Sequence, residues 1–152
     1  MSGALERLHS EGIELPTLPS PAYSYLPFTR NGNELYLSGQ ISRTPEGEIL
    51  KGTVGAGATV GEAVRAAEVA AINLLSRIHE AVGLDNVKQI LKLTVWVNSA
   101  DTFDDQPTVA EGASTLLANI LGEAGRHART ALPSNTLPKG ALVELDAIVA
   151  VH

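Results

Sequence analysis

Alternation of residues near the C-terminus is the feature that most constrains the fold of this chain. From Val143 to Val151, every second residue is Val, Leu or Ala, the period of two that is typical of a β-strand. The second set, Leu142, Glu144, Asp146, Ile148 and Ala150, is mostly apolar as well, which predicts that both faces of the strand are covered. Glu144 and Asp146 interrupt the second face. They indicate either a solvated strand end or a polar site, and the alternation alone does not decide between the two.

Earlier segments predict the other strands of a sheet. Residues 28–41 are typical of a hairpin, in which Asn31-Gly32 is expected to form a type I′ turn. One face of its second strand is predicted to carry Leu35, Leu37, Gly39 and Ile41. A glycine within a strand indicates a β-bulge or a close backbone approach. Residues 49–58 predict a short strand with a loop, and residues 89–98 a longer strand.

Two long helices are predicted between these strands. Thr59 and Glu62 match a capping box, so the first helix is expected from about Val60 to Val82. A second helix is expected to begin within residues 104–107 and to end within residues 122–125, where glycines interrupt the apolar stripe. The order of elements predicts an α+β fold in which the two helices pack against one mixed sheet.

The N-terminal segment differs from the rest in composition. Residues 3–12 predict a short amphipathic helix, and four prolines follow between Pro16 and Pro27. Proline lacks an N–H and fixes φ, so this stretch is expected to be extended. We interpret residues 1–152 as a single domain in which residues 1–20 form an N-terminal extension, or arm.

Composition excludes several classes of function. The formal net charge of −6 argues against nonspecific nucleic-acid binding, which needs a basic surface. The chain has no cysteine, and its four histidines lack metal-ligand spacing, so we expect no metal site. No apolar run is long enough to span a bilayer and no secretory signal is evident, which predicts a cytoplasmic protein without a membrane partner.

A small polar set remains for chemistry. It consists of Tyr25, Ser38, Arg129 and Glu144, and their spacing alone does not determine whether they converge. Three longer motifs accompany them: G-N-E-L-Y-L-S-G-Q at 32–40, K-L-T-V-W-V at 92–97, and R-x₇-L-P-x-G-A-L-V-E-L-x-A-I at 129–148. In these motifs the chain resembles the Rid/YjgF family of reactive intermediate deaminases, also known as endoribonuclease L-PSP, over about residues 20–151.

The resemblance implies a chorismate mutase-like fold and a homotrimer with a ligand cleft between subunits. It also implies hydrolysis of 2-imino or enamine acids such as 2-aminoacrylate to a 2-keto acid and ammonia, without a cofactor. By position, Arg129 is expected to bind the substrate carboxylate and Glu144 to position the attacking water. Tyr25 and Ser38 correspond to the pocket tyrosine and serine, and the Gly39 N–H is expected to face the ligand.

Departures from the family pattern leave alternatives open. Ala131 stands where such deaminases often have cysteine, and Glu111 or Gly112 stands near the expected pocket asparagine. The segment 122–127 is longer than the corresponding segment of the family. One alternative is a trimeric small-carboxylate-binding protein with little catalysis. Another is an endoribonuclease, which the acidic balance and the lack of a paired histidine disfavour.

Each candidate residue also has a purely structural interpretation. Arg129 could form an interface ion pair with Glu144 or Asp146, and Tyr25 could pack within the arm. Ser38 could bond the backbone, and His127 could be a surface loop residue.

Overall fold

Five strands form one mixed sheet in the computed structural model, which describes residues 3–152. The strands are β1 (Phe28–Asn31), β2 (Glu34–Ile41), β3 (Val87–Asn98), β4 (Ala128–Ser134) and β5 (Val143–Val151). They lie in the order β1-β2-β5-β3-β4, and only the β3–β4 pair is parallel. The helices are α1 (Ala4–Ser10), α2 (Val60–Val82) and α3 (Gln106–Leu121). The predicted α+β architecture and mixed sheet are therefore confirmed.

The two faces of the sheet differ in what covers them. On β5, Leu145, Ala147 and Val149 point towards α2 and α3 and are buried in the core. Residues directly opposite in neighbouring strands share a face, so the register assigns the remaining positions. The second face, here called the open face, carries Tyr36, Thr94, Trp96, Leu132, Glu144, Asp146 and Ile148. No helix of the described chain covers the open face, so its residues are only partly buried.

Local sequence explains why the two long helices form and pack. The Thr59 hydroxyl accepts a hydrogen bond from the Glu62 N–H, and the Glu62 carboxylate accepts one from the Thr59 N–H. This capping box satisfies donors at the start of α2 that would otherwise be unpaired. Gly112 permits close contact between α2 and α3, because a Cβ there would lie 2.3 Å from the Val64 carbonyl oxygen.

Two details of the sequence prediction are wrong. Asn31 pairs with Glu34, so the central turn residues are Gly32 and Asn33. Of these only Gly32 has a positive φ, +60°, which matches a type II′ turn rather than type I′. Residues 49–58 form isolated bridges and no strand, since three glycines interrupt the stretch.

The proline-rich arm lies against α2. Ser76 Oγ donates to the Pro16 carbonyl, and Arg77 Nη2 donates to the Pro19 carbonyl at 2.6 Å. Arg7 Nε donates to the Ile120 carbonyl at 2.6 Å, which connects α1 to α3. The predicted N-terminal helix is confirmed at Ala4–Ser10, and the arm is fastened through carbonyl groups that proline leaves free to accept.

Candidate functional site

A β-bulge at Ser38 and Gly39 shapes the open face around Glu144. Leu37 pairs with Ala147 and Gln40 pairs with Leu145, so both bulge residues lie opposite Asp146 alone. The bulge reverses the alternation of β2. Ile41 consequently pairs with Glu144 on the open face, which corrects the prediction that Ile41 shares the face of Leu35 and Leu37.

The Glu144 carboxylate lies directly over Gly39. A Cβ placed on Gly39 would be 2.2 Å from Glu144 Oε2, a distance that no two nonbonded heavy atoms tolerate. The predicted close approach at Gly39 is thus real, and the group that approaches is the carboxylate of the neighbouring strand. Glycine at this position lets Glu144 rest against the backbone of β2.

Both carboxylates of β5, Glu144 and Asp146, have pKa values above the ordinary range. Burial raises the pKa of Glu144, and the nearby charge of Asp146 raises it further. Asp146 is half-buried rather than fully solvated at a strand end, and this burial raises its pKa. Within residues 3–152, no hydrogen bond or ion pair reaches either carboxylate. A carboxylate with a raised pKa and no partner is typical of functional sites.

Ser38 bonds the backbone of the segment that follows Tyr25. Ser38 Oγ donates to the Leu26 carbonyl at 2.6 Å, and the Ser38 N–H donates to the Pro27 carbonyl at 3.0 Å. The Ser38 hydroxyl is therefore bonded to the backbone, as its structural interpretation expects, and this bond connects Leu26 to β2. Tyr25, one residue before Leu26, is 55% exposed and available for a ligand or for another chain.

Arg129 lies away from these residues. Arg129 belongs to β4, lies opposite Leu93 of β3 and faces α3. Glu144 belongs to β5, two strands away, and faces the opposite side of the sheet. Arg129 Nη1 donates to Glu111 Oε1 at 2.6 Å and to Ser114 Oγ at 3.1 Å. Within residues 3–152, the ion pair of Arg129 is with Glu111, and one chain does not bring Arg129 and Glu144 together. The alternative in which Arg129 pairs with Glu144 or Asp146 across an interface stays a prediction.

A cleft between α3 and β4 surrounds Arg129, and sequence reasoning did not predict it. Its volume is about 540 Å³, and it is lined by Glu111, Ser114, Thr115, Ala118, Asn119, Arg126, His127 and Arg129. The sequence contains two indications of this cleft, but their spacing does not show that they lie together. Glu111 stands near the position of the family's asparagine, and residues 126–129 form a basic cluster.

His127 supports this cleft rather than lying free in a loop. Its Nδ1 is 2.6 Å from the Gly125 carbonyl, and its Nε2 is 2.8 Å from Ser114 Oγ. A carbonyl can only accept, so Nδ1 carries a proton. The ring holds Ser114, which in turn accepts from Arg129, so the three residues set the direction of the guanidinium.

Two further classes of site are not found in the part of the chain that the structure describes. Residues 3–152 contain no group of three or more His, Cys, Asp or Glu side chains arranged to hold a metal ion. No helix in that range has the length and apolar character needed to cross a membrane.

Comparison with known proteins assigns the family. A family model described as "YjgF/chorismate mutase-like, putative endoribonuclease" matches residues 5–149. The chain belongs to the YjgF family. The match begins at residue 5, within the segment that the sequence analysis treated as an extension.

Individual YjgF relatives agree with this assignment. Protein TCP17 of Trypanosoma cruzi is 42% identical over 150 residues, 97% of this chain and 92% of the relative. The crystal structure of Atu1372 from Agrobacterium tumefaciens, a protein of unknown function, is 40% identical with a TM-score of 0.88, covering 98% of this chain and 94% of that one. A "putative endoribonuclease" structure from Shewanella oneidensis is 32% identical with a TM-score of 0.94, covering 99% and 100%. The chorismate mutase-like YjgF fold is confirmed.

Proposed function

We propose that this YjgF protein hydrolyses small 2-imino or enamine acids to 2-keto acids and ammonia without a cofactor. The observation that carries the proposal is the Glu144 carboxylate, unpaired within residues 3–152, raised in pKa and held over Gly39. A base with a raised pKa accepts a proton from water more readily than an ordinary carboxylate does. Arg129 supplies the group that binds the substrate carboxylate.

We infer that the chain forms a homotrimer, as the family resemblance implies, and the positions of these two residues support a cleft shared between chains. Arg129 and Glu144 lie on opposite faces of one sheet, so a shared cleft requires two chains. The open face is also partly apolar, with Tyr36 39% and Leu132 40% exposed, and a sheet face of this kind is stabilised by a covering layer. In a cyclic assembly, Arg129 of one subunit and Glu144 of the next would line one cleft.

The chemistry needs no covalent intermediate with the protein. Protonation of the enamine at carbon gives an iminium acid whose C2 is electrophilic. Water adds to C2 while Glu144 takes one of its protons, which forms a carbinolamine. Glu144 then returns that proton to the nitrogen, the C–N bond breaks and ammonia leaves. The hydroxyl oxygen becomes the ketone as its proton passes to Glu144 and on to solvent, which balances the proton that the enamine carbon took up at the start. Bringing water and substrate together in one cleft supplies much of the acceleration.

Binding with little catalysis is the second candidate. The observation that favours it is the Glu111–Arg129 ion pair, 2.6 Å long, which partly neutralises the carboxylate clamp.

The family description names endoribonuclease activity. RNA cleavage by this chain would have to survive repeated purification and disappear in Arg129→Ala.

The experiment that tests the proposal generates 2-aminoacrylate in situ with a serine dehydratase and follows its loss. We expect the wild type to accelerate that loss, and Arg129→Ala and Glu144→Gln to abolish the acceleration. Arg65→Ala is the matched control, because Arg65 is an exposed arginine of α2 in a 3.9 Å surface pair with Glu68. Carboxylate binding without turnover in the wild type would favour the binding protein instead.

The assembly is tested separately by light scattering. Since one chain has a mass of 15.9 kDa, a trimer has a mass of about three times that value. Trp96→Glu, which puts a charge on the open face next to Glu144, is expected to yield monomers and to lose turnover. A monomeric wild type with full activity would contradict the shared cleft. The cytoplasmic location stays a prediction.

A further inference from the structure

We propose that Glu111 forms a cation subsite beside Arg129, so that the preferred ligand carries a protonated nitrogen next to its carboxylate. The inference rests on the proposed function, since it takes Arg129 as the carboxylate clamp, and it adds the class of ligand. Zwitterionic amino acids and iminium acids belong to this class, whereas keto acids and hydroxy acids do not.

The contact between Glu111 and Arg129 carries the argument. Glu111 Oε1 accepts from Arg129 Nη1 at 2.6 Å, while the Glu111 side chain is 62% exposed. The carboxylate thus reaches the guanidinium and still presents much of its surface to the cleft. Glu111 belongs to α3 and Arg129 to β4, so two rigid elements fix the distance between the negative and the positive group.

Arg129 keeps donors for a second carboxylate. Both of its hydrogen bonds, to Glu111 and to Ser114, involve Nη1. Within residues 3–152, Nε and Nη2 have no hydrogen-bond partner, and this edge of a guanidinium binds a carboxylate with two parallel hydrogen bonds. His127 holds Ser114 at 2.8 Å, which keeps the Nη1 edge turned towards Glu111 and leaves the other edge for the ligand.

Charge then separates the two classes of ligand. A monoanion on the Nε/Nη2 edge brings a second negative charge near Glu111, and the two carboxylates compete for one guanidinium. A zwitterion brings its own cation, which Glu111 can accept while the ligand carboxylate bonds Arg129. An iminium acid, the form that water attacks in the proposed reaction, has the same charge pattern. Glu111 therefore favours the reactive form over the neutral imine and over the keto-acid product.

Binding of two isosteric ligands tests the subsite. L-Alanine and L-lactate differ only in an ammonium against a hydroxyl group, and calorimetry compares their affinities for the assembled protein. We expect the wild type to bind alanine at least about tenfold more tightly than lactate. Glu111→Gln, which keeps the shape of the side chain but removes its charge, is expected to abolish that preference and to bind lactate more tightly than the wild type does.

Glu123→Gln is the matched control. Glu123 is an acidic residue near the cleft that pairs with Arg126 at 3.8 Å, and it does not contact Arg129. Its removal is expected to leave the preference for alanine unchanged, whereas Arg129→Ala is expected to weaken both ligands.

The outcomes distinguish the subsite from the proposed function. Arg129-dependent binding without a preference for alanine, or a preference that Glu111→Gln leaves unchanged, would overturn the cation subsite alone. Absence of binding by both ligands, or binding that Arg129→Ala leaves intact, would overturn the carboxylate clamp together with the subsite. If Glu123→Gln also lost the preference for alanine, the preference would be due to the overall negative charge near the cleft and not to Glu111. That result would also overturn the proposal.

Discussion

Glu144 and Gly39 are joined by a contact that only glycine permits, since a Cβ on Gly39 would lie 2.2 Å from Glu144 Oε2. The bulge that creates this contact leaves two residues of β2 opposite a single residue of β5. The carboxylate rests on the backbone of the neighbouring strand, without a hydrogen bond to it. The carboxylate can occupy this position because Gly39 has no side chain, and no hydrogen bond within residues 3–152 holds it there.

Gly39→Ala should separate activity from stability. The atom that the new methyl group meets is the end of a flexible side chain, so Glu144 can rotate away at a cost of about 1 kcal/mol or less. The displaced carboxylate no longer positions water, and we expect kcat to fall by about 10²-fold or more, towards that of Glu144→Gln. Steady-state kinetics and thermal unfolding measure the two effects. A large loss of melting temperature with unchanged kcat would contradict this interpretation.

Gly112→Ala should have the opposite effect. Its Cβ would lie 2.3 Å from the Val64 carbonyl oxygen, which is backbone of α2 and cannot rotate away. Forcing α2 and α3 apart is expected to lower the free energy of unfolding by about 1–3 kcal/mol. Urea denaturation measures the change. Gly61→Ala is the control because a Cβ there meets nothing closer than 3.9 Å, and an equal loss in that variant would refute the helix-contact explanation.

Glu144→Gln should change how stability depends on pH. The pKa of Glu144 in the fold is raised above its ordinary value of 4.5, so the folded state binds the proton more tightly than the unfolded chain does. The free energy of unfolding therefore falls as pH rises from about 4.5 through the folded pKa, and the penalty persists at neutral pH.

We consequently expect Glu144→Gln to raise the melting temperature at pH 7 relative to the wild type. The difference should diminish when both proteins are measured at a pH below the ordinary pKa. Glu48→Gln on the exposed turn serves as the control. A stabilisation that is the same at both pH values would show that charge burial at residue 144 is not its cause.

Arg129→Lys should lose most of the affinity for a carboxylate even though the charge is kept. Lysine has three donors and no planar fork, so it cannot hold a ligand carboxylate with two parallel hydrogen bonds while it also bonds Glu111 and Ser114. Loss of one charge-assisted hydrogen bond costs about 1.5–3 kcal/mol, which corresponds to a fall in kcat/KM of about 10- to 150-fold. Initial rates over a range of substrate concentrations measure the fall. Near-wild-type kcat/KM would show that only the charge of residue 129 matters.

Periodicity and capping signals predicted most of the fold. The alternation in β5 and the capping box of α2 depend on local chemistry, and both are present as expected. Gly39 also carried a local signal, a glycine within a strand. The signal did not say which way the bulge would turn Ile41, because the number of residues opposite Asp146 depends on pairing with a distant strand.

The candidate site was less predictable because its residues depend on tertiary pairing. The motif places Arg129 and Glu144 fifteen positions apart, and nothing local reveals that β4 pairs in parallel with β3 and turns Arg129 towards α3. The partners of His127 likewise come from a different element. Sequence therefore named Arg129 and Glu144 as candidates but not the face on which each one lies.

The strand order has a consequence for how the chain folds during synthesis. β5 follows the other four strands in chain order, yet it lies between β2 and β3 at the centre of the sheet. Until β5 has left the ribosome, the β1–β2 hairpin and the β3–α3–β4 unit have no strand to join them, and an inner edge of each stays unpaired. The sheet consequently closes only after β5 has emerged, and a chain truncated before Val143 is expected to aggregate rather than to fold.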